Sequence, residues 1–381
     1  MGYQETLEQT IGVPFTKGNS VTVLKNGDEI FPSMLDAIDQ AQHSISFLTF
    51  VYWQGDVANK FANLFCKKAK EGLDVKVLLD SYGAFPMKDE LVENMKNSGV
   101  QVVWFRPLAR WKIWKTDNRT HRKILLCDNK IAFTGGVGIA EEWEGNARNA
   151  DEWRDTHFKI TGPALAGIKA AFTENWIEAG NDLELTDTID NEQKFVDGDV
   201  AIQTIRTSAS VRWSDIVLLY QTLVHIAKER IYICTAYFNP DAKLVELLCE
   251  RAREGVDVKI VIPGRHTDQT STTIIAGDSF ELLLEAGVQI HYYQKTMMHA
   301  KIILVDDELA CVGSANFNHR SMLKDDEVNL VMINRELAST LHDHFEEDLT
   351  HCDLVTNTRW KQRGMLKRAL ELALRPFRQQ L

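Results

Sequence analysis

The 381-residue sequence predicts an α/β fold assembled as two tandem lobes. Three observations carry that expectation. The chain repeats itself once over most of its length, each copy alternates short β-branched runs with helical stretches, and the composition suffices for a buried core. The repeat is visible segment by segment. Ser44–Phe47 returns as Arg230–Ile233, Glu71–Leu79 as Glu254–Ile262, Ser98–Trp104 as Ala286–Tyr292, and Thr120–Gly136 as Met298–Ser314. The offsets are 186, 183, 188 and 178 residues, in unchanged order, as one duplication with loop insertions would leave them.

Within each copy, Ile45–Trp53, Val75–Leu79, Val100–Phe105 and Ile124–Cys127 read as strands, being short, apolar and β-branched or aromatic. Ala58–Glu71 and Lys243–Glu254 carry apolar residues at helical spacing and meet a Gly just past their ends. The region Leu183–Gly198 is rich in Asp, Glu, Asn and Thr and marks the connection. The expected division is a first lobe at 1–185, a connecting segment at 186–200, a second lobe at 201–350 and a basic amphipathic tail at 351–381.

The chain is 44% hydrophobic and 25% charged, which argues against global disorder. Its net charge of -11 disfavours a nucleic-acid coat, because such binding rests on phosphate neutralisation by Lys and Arg. No run approaches the roughly 20 apolar residues of a membrane span, and the N-terminus has no basic region followed by an apolar stretch. Met1-Gly2 with Thr6 fits the myristoylation pattern only as a short chance match. Cys66, Cys127, Cys234, Cys249, Cys311 and Cys352 are scattered without a C-x-x-C pair and read as reduced thiols, not disulfides or a zinc site.

One motif carries chemistry. His121-Arg122-Lys123 followed by Asp128 has the form H-x-K-x4-D, and His299-Ala300-Lys301 followed by Asp306 repeats it. Seven residues after each Asp come Gly135-Gly136 and Gly313-Ser314. On a strand, residues two apart share a face, so each His and Lys point together. An imidazole and an ammonium on one face suit a phosphate: one attacks or moves protons, the other neutralises non-bridging oxygens. The Gly pair permits close approach and offers backbone N–H groups to an anion. A single such motif is weak. Two, at matching places of a duplicated chain, are not.

These residues resemble the paired motifs of the phospholipase D superfamily, and Gly313–Ser321 resembles the segment that follows that family's second motif. The likeness runs from about Val21 to Asp348. Arg106-Pro107, Thr120–Lys123, Gly135–Ala140, Trp153–His157 and Ile262–Asp268 make it most similar to bacterial cardiolipin synthases without transmembrane helices. The resemblance implies two phospholipase D-like lobes, each a mixed β-sheet flanked by helices, related by a pseudo-twofold axis, with one active site between them and no metal or other cofactor. It implies that His121 is the nucleophile forming a phosphohistidine and His299 the general acid/base, roles that near-symmetric motifs do not themselves separate. Lys123, Lys301 and Asn316 would hold phosphoryl oxygens, with Gly135, Gly136 and Ser314 lining the substrate. Asp155 lies 34 residues after His121 and Glu327 lies 28 after His299, so each is the candidate partner of its own His. Asp128 and Asp306 read as turn residues, and His157, His266, His291 and His319 as non-catalytic residues in polar or surface-like contexts. Two positions depart from the pattern: Gly138 stands where the second copy has Asn316, and Asp325 stands where Asn is expected.

Two basic segments point towards lipid. Phe105–Thr120 carries Arg106, Arg110, Lys112, Lys115 and Arg119 against Asp117, with Trp111 and Trp114 interleaved. Arg359–Leu381 carries seven basic residues against Glu371, with Leu366, Leu370, Leu374, Phe377 and Leu381 at helical spacing beside Trp360. Trp111, Lys112, Trp114, Lys115 and Trp360 are therefore candidate membrane contacts. Packing of the tail and a lid role for the Trp loop are the plainer alternatives, and the same composition also suits a nuclease groove. The leading expectation is a cytoplasmic enzyme, peripheral on the inner face of the cell membrane. It acts on an anionic phospholipid, needs no obligate protein partner, and makes cardiolipin from phosphatidylglycerol and a second glycerol-type lipid. A hydrolytic phospholipase D, a metal-independent endonuclease and a catalytically dead lipid-binding module are the alternatives.

Overall fold

The computed structural model describes residues 2–107, 118–183, 198–208, 214–268 and 277–361. The first half contributes strands β1 (Thr16–Lys25), β2 (Ser44–Thr49), β3 (Asp74–Asp80), β4 (Gln101–Phe105), β5 (Ile124–Cys127), β6 (Ile131–Gly135) and β7 (Thr156–Thr161). The second contributes β8 (Val200–Thr207), β9 (Arg230–Cys234), β10 (Phe238–Asn239), β11 (Asp257–Pro263) and β12 (Gln289–Tyr293). It continues with β13 (Ile302–Val305), β14 (Leu309–Gly313), β15 (Phe317–Asn318), β16 (Glu327–Ile333) and β17 (Cys352–Leu354). Among the described residues, all but β10 and β15 form one sheet, in the order β17-β12-β11-β9-β13-β14-β16-β8-β1-β7-β6-β5-β2-β3-β4.

That order mirrors itself about the β8–β1 junction, where Thr16 faces Ile202 and Asn19 faces Val200. Outward from the junction, β1-β7-β6-β5-β2-β3-β4 is answered by β8-β16-β14-β13-β9-β11-β12. The expected pair of mixed-sheet lobes is present: β2, β3 and β4 run parallel, whereas β5 is antiparallel to β2. The duplicated chain thus builds one sheet by joining two like edges, which also removes an exposed edge from each lobe.

Burial on both faces explains the continuous apolar runs. In β5, Ile124 and Leu126 enter a core shared by the two halves, whereas Leu125 and Cys127 enter the outer core of the first half. In β13, Ile302 and Leu304 enter the shared core, and Ile303 and Val305 the outer core of the second half. Helices Leu165–Glu178 and Arg335–Leu349 fill the space between the lobes, through Ile168, Phe172, Leu341 and Phe345. The helix expected over Ala58–Glu71 spans Asp56–Lys70, and its counterpart spans Ala242–Arg253. Gly72 and Gly255 close their ends at φ 94° and 97°, in the left-handed region where a Cβ is costly.

The structure corrects the expected boundaries. Helix Tyr3–Ile11 packs into the second half through Leu7, and the Tyr3 hydroxyl bonds Asp306, so the first residues belong by contact to the second lobe. The tail expected from 351 begins with β17, which pairs with β12 and extends the sheet. Trp360, expected at a membrane, packs on Phe280 with ring centroids 5.0 Å apart. Trp111, Lys112, Trp114, Lys115 and residues 362–381 lie outside the described residues.

Ion pairs lock the lobes beneath the shared core. Buried Arg154 donates to Asp348 at 2.9 and 3.1 Å through Nε. Removing one partner of such a pair strands a charge in the interior. Asp348→Ala should therefore destabilise the protein by about 3–5 kcal/mol, read as a lower urea midpoint. An unchanged midpoint would show that the pair holds nothing together.

Candidate active site

Each His-Lys pair sits in the extended lead-in to a strand, not in the strand itself, since β5 starts at Ile124 and β13 at Ile302. The side chains still alternate as expected. Lys123 Nζ donates back to the His121 carbonyl at 2.7 Å, and Lys301 Nζ donates to the His299 carbonyl. Arg122, between His121 and Lys123, points the other way and is fully buried. It donates to the carbonyls of Glu327 at 3.2 Å and Thr207 at 2.9 Å, and to Ala171 O, tying three elements beneath the site.

The carboxylate partners are exchanged between lobes. His121 Nδ1 lies 3.0 Å from Glu327 Oε1, and His299 Nδ1 lies 2.8 Å from Asp155 Oδ2. This corrects the pairing suggested by sequence proximity, which joined Asp155 to His121 and Glu327 to His299. Neither carboxylate is a surface group; both are buried. The reason lies in the backbone. Thr120 bridges to Asp326 in parallel, and Arg154 bridges to Met298 in the same way. The His121 N–H donates to Asp326 O at 2.9 Å and the His299 N–H to Arg154 O at 2.7 Å. The residue before each His is thus stitched to the residue before the other lobe's carboxylate.

Further contacts fix the carboxylates. Asp155 accepts from Trp143 Nε1 at 2.9 Å and the Thr156 N–H at 2.8 Å, and Glu327 accepts from the Ser314 hydroxyl. Ser314, expected to line the substrate, is therefore a positioning residue. The expected glycines act by leaving room: a Cβ on Gly136 would stand 2.3 Å from Asp155 Oδ1, and one on Gly135 2.6 Å from His157 Nδ1. The Gly136 N–H donates to Thr156 O at 3.4 Å, so it is not held for an anion. Asn316 is buried, and its Oδ1, which can only accept, has no partner among the described residues. Its counterpart Gly138 has no space for a side chain, since a Cβ would meet Val51 at 2.7 Å.

Asp128 and Asp306 work at a distance from the imidazoles. Asp128 accepts the N–H groups of Gln42, His43 and Ser44 at 2.7–2.9 Å, and Asp306 those of Lys228, Glu229 and Arg230 at 2.7–3.2 Å. They anchor the entry of the neighbouring strand, β2 or β9, rather than only their own turn. Asp325, the other departure, is buried and paired with Arg320 at 3.0 and 3.1 Å. Burial lifts its pKa to about 7.

Sequence reasoning missed the aromatic walls and one histidine. Phe50 meets the His121 ring edge-on at 5.3 Å, while Trp143 and Trp153 pack on His299 at 5.1 and 5.5 Å. Ring contacts of this kind have no spacing signature. His157 is buried, not surface-like, and its Nδ1 has no partner among the described residues. It stands opposite Gly135 in the β6–β7 register, as Asn329 stands opposite Gly313 in the β14–β16 register.

The electrostatics follow from burying so many ionisable groups together. Burial, reinforced by Lys123, depresses His121 to about 4 against the pull of Glu327. Burial and Lys301 depress His299 to about 3. Burial brings Lys123 to about 7 and Lys301 to about 8. Lys301 also acts on His121 and Lys123 on His299, so the two halves share one electrostatic site. Burial opposes the charge on Asp155 and Glu327, but His299 holds the first and His121 the second below their ordinary values. Near neutrality the imidazoles are uncharged. Each directs Nδ1–H at a carboxylate, which leaves the Nε2 lone pair for chemistry.

A family model described as "Cardiolipin synthase, PLD-like domain" matches residues 34–151 and 220–349. The chain belongs to this family. Its relatives include "Cardiolipin synthase 1" of Bacillus anthracis, 33% identical over 97% of this chain and 74% of that protein. The "Cardiolipin synthase" of Clostridium perfringens is 31% identical over 95% of this chain and 77% of that one. The fold is shared with the phosphatidylserine synthase of Haemophilus influenzae, at a TM-score of 0.74 and 14% identity over 98% of this chain and 97% of that one. The two His-Lys pairs of this chain fall one in each matched segment, and no helix among the described residues is long and apolar enough to cross a membrane.

Two measurements test this site. Glu327→Gln should move the ring-nitrogen NMR resonances of His121 and spare those of His299, with Asp155→Asn doing the reverse; the opposite pattern would refute the exchanged pairing. Because kcat/KM reports the free enzyme, deprotonation of Lys123 near 7 and Lys301 near 8 should make kcat/KM for an anionic phosphodiester fall as pH rises through that range. A bound phosphate favours the ammonium forms, so the fall in kcat should come at higher pH. Coincident limbs would contradict the assignment.

Proposed function

We propose that the protein is a phosphatidyltransferase that makes cardiolipin from phosphatidylglycerol and a second glycerol-type lipid, through a phosphohistidine. One observation carries the reading: two imidazoles, each oriented by a carboxylate of the other lobe, share a site with two lysines. That constellation suits two successive displacements at one phosphorus atom. The names of the relatives supply the lipid class.

The two halves are not equivalent, and the difference supports distinct roles. Lys301 Nζ lies 3.0 and 3.1 Å from both ring nitrogens of His299, whereas the bond of Lys123 among the described residues goes to the carbonyl of His121. The His121 Nε2 lone pair is therefore the freer one, and it attacks phosphorus while the P–O bond to the leaving glycerol breaks. An anionic phosphodiester between the lysines raises the His299 pKa, so that His299 carries the proton the leaving oxygen takes. His299 then removes a proton from the incoming hydroxyl, whose oxygen displaces His121 from phosphorus. Lys123, Lys301 and Asn316 hold the non-bridging oxygens, the ammoniums supplying the positive charge that the transition state requires. The substrate lipid places the enzyme at a membrane surface.

Purified protein incubated with phosphatidylglycerol vesicles should yield cardiolipin and glycerol, and turnover should survive a chelator. His121→Ala and His299→Ala should each lower kcat by about ten-thousandfold or more without unfolding the protein. Rapid quenching in denaturant at neutral to mildly alkaline pH, where a P–N bond survives, should trap a phosphatidyl group on His121. Phosphatidic acid as the sole lipid product would instead identify a hydrolase, and nicking of plasmid DNA a nuclease.

A further inference from the structure

The catalytic edge of the first lobe carries an exposed feature that the chemistry does not use. Strands β2, β3 and β4 are parallel, and β5 pairs Ile124 with Leu48 near the end of β2. The lead-in bearing His121 and Lys123 therefore lies at the same edge as the loops that leave β2 and β3. The loop after β3, Ser81–Lys88, presents Tyr82 and Phe85 to solvent at 63% and 76% exposure. Its Ala84 and Met87 are buried in the outer core.

This loop is held, not loose. Asp80 accepts the N–H groups of Tyr82 at 2.9 Å and Gly83 at 3.2 Å. The same carboxylate accepts the N–H of Thr120 at 3.1 Å, the residue before His121. Trp53 Nε1 donates to Gly83 O at 2.8 Å and Gln54 Nε2 to Pro86 O at 3.1 Å. Gly83 packs so closely on Phe50 that a Cβ would stand 2.3 Å from its carbonyl oxygen, and Phe50 is the ring against His121. One set of bonds thus places the histidine and displays two aromatic side chains beside it. Two large aromatic side chains displayed together on a held loop at this edge suit an interaction surface.

We propose that Ser81–Lys88 docks the protein on a phospholipid surface, with Phe85 and Tyr82 entering the headgroup region and orienting the cleft towards its lipid. The occupant follows from the site. If the phosphorus of a phospholipid lies between His121 and His299, its acyl chains must leave across the rim of the cleft, and this loop belongs to that rim. Phenyl and phenol rings are suited to the boundary between headgroup and acyl chain, where one end is apolar and the other wet. The inference rests on the lipid reading of the active site and adds to it the face that meets the membrane.

The test compares the full chain with Tyr82→Ser/Phe85→Ser by sedimentation with vesicles of phosphatidylglycerol and phosphatidylcholine. Both side chains are exposed, so the double variant should fold and melt as wild type does. It should partition about tenfold or more weaker onto vesicles, as loss of two inserted aromatics implies. It should turn over monomeric dihexanoyl phosphatidylglycerol at the wild-type rate. Phe85→Trp should bind vesicles at least as well as wild type, because indole suits the same boundary. Wild-type sedimentation by the double variant, or no vesicle binding by wild type, would overturn the proposal. So would a change in oligomeric state on mutation, which would identify a contact between copies. A wild-type enzyme that binds vesicles through this loop but leaves both lipids intact would instead overturn the phosphatidyltransfer reading alone.

Discussion

The structure depends on a reciprocal exchange across the lobe interface. Each catalytic-motif histidine leans on a carboxylate that the other half supplies: His121 on Glu327 and His299 on Asp155. Short parallel bridges at Thr120–Asp326 and Arg154–Met298 enforce it, because each His and the opposing carboxylate follow directly from a stitched pair. Neither lobe alone supplies both a motif histidine and the carboxylate bonded to it. The duplication is therefore functional in a strict sense, since the half-site of one copy is completed only by the other.

That arrangement concentrates charge where water is scarce. Two lysines, two carboxylates and two neutral imidazoles share one buried site; burial leads the downward shift of the lysines and imidazoles, whereas at Asp155 and Glu327 it is outweighed by the hydrogen bonds and charges around them, those of His299 and His121 first. Paired groups tolerate this because each carboxylate receives a histidine N–H and a second donor, Trp143 or Ser314. The lysines are the less satisfied members. Their depressed pKa values describe a site poised for an anion, whose arrival restores the ammonium charge. Stabilisation that grows as negative charge enters favours the displacement of a phosphoryl group.

The two copies have diverged in the layer behind the histidines. Gly136 opens space for Asp155, whereas Ser314 donates to Glu327. Asn329 bonds the Ala315 N–H at 3.2 Å, while its counterpart His157 keeps an unpartnered Nδ1 among the described residues. Arg122 reaches into the lobe interface, and its counterpart Ala300 is merely buried. Pseudo-symmetry sets the framework, and these differences make the surroundings of the two histidines unequal.

The sequence by itself determined the duplication, the alternation of strands and helices, and the two His-Lys pairs, because repeats and period-two patterns are local and survive in one dimension. It also singled out Asp155 and Glu327, which the structure brings to the imidazoles, through motif context. The tertiary structure alone decided which carboxylate serves which histidine, since the bridges join residues 206 and 144 positions apart. It likewise turned Ser314 from a substrate ligand into a support, moved the N-terminal helix onto the second lobe and packed Trp360 on Phe280. His157 and the rings of Phe50, Trp143 and Trp153 stayed hidden for the same reason. Burial and ring packing are set by which surfaces meet after the chain closes on itself, and local sequence does not encode that meeting.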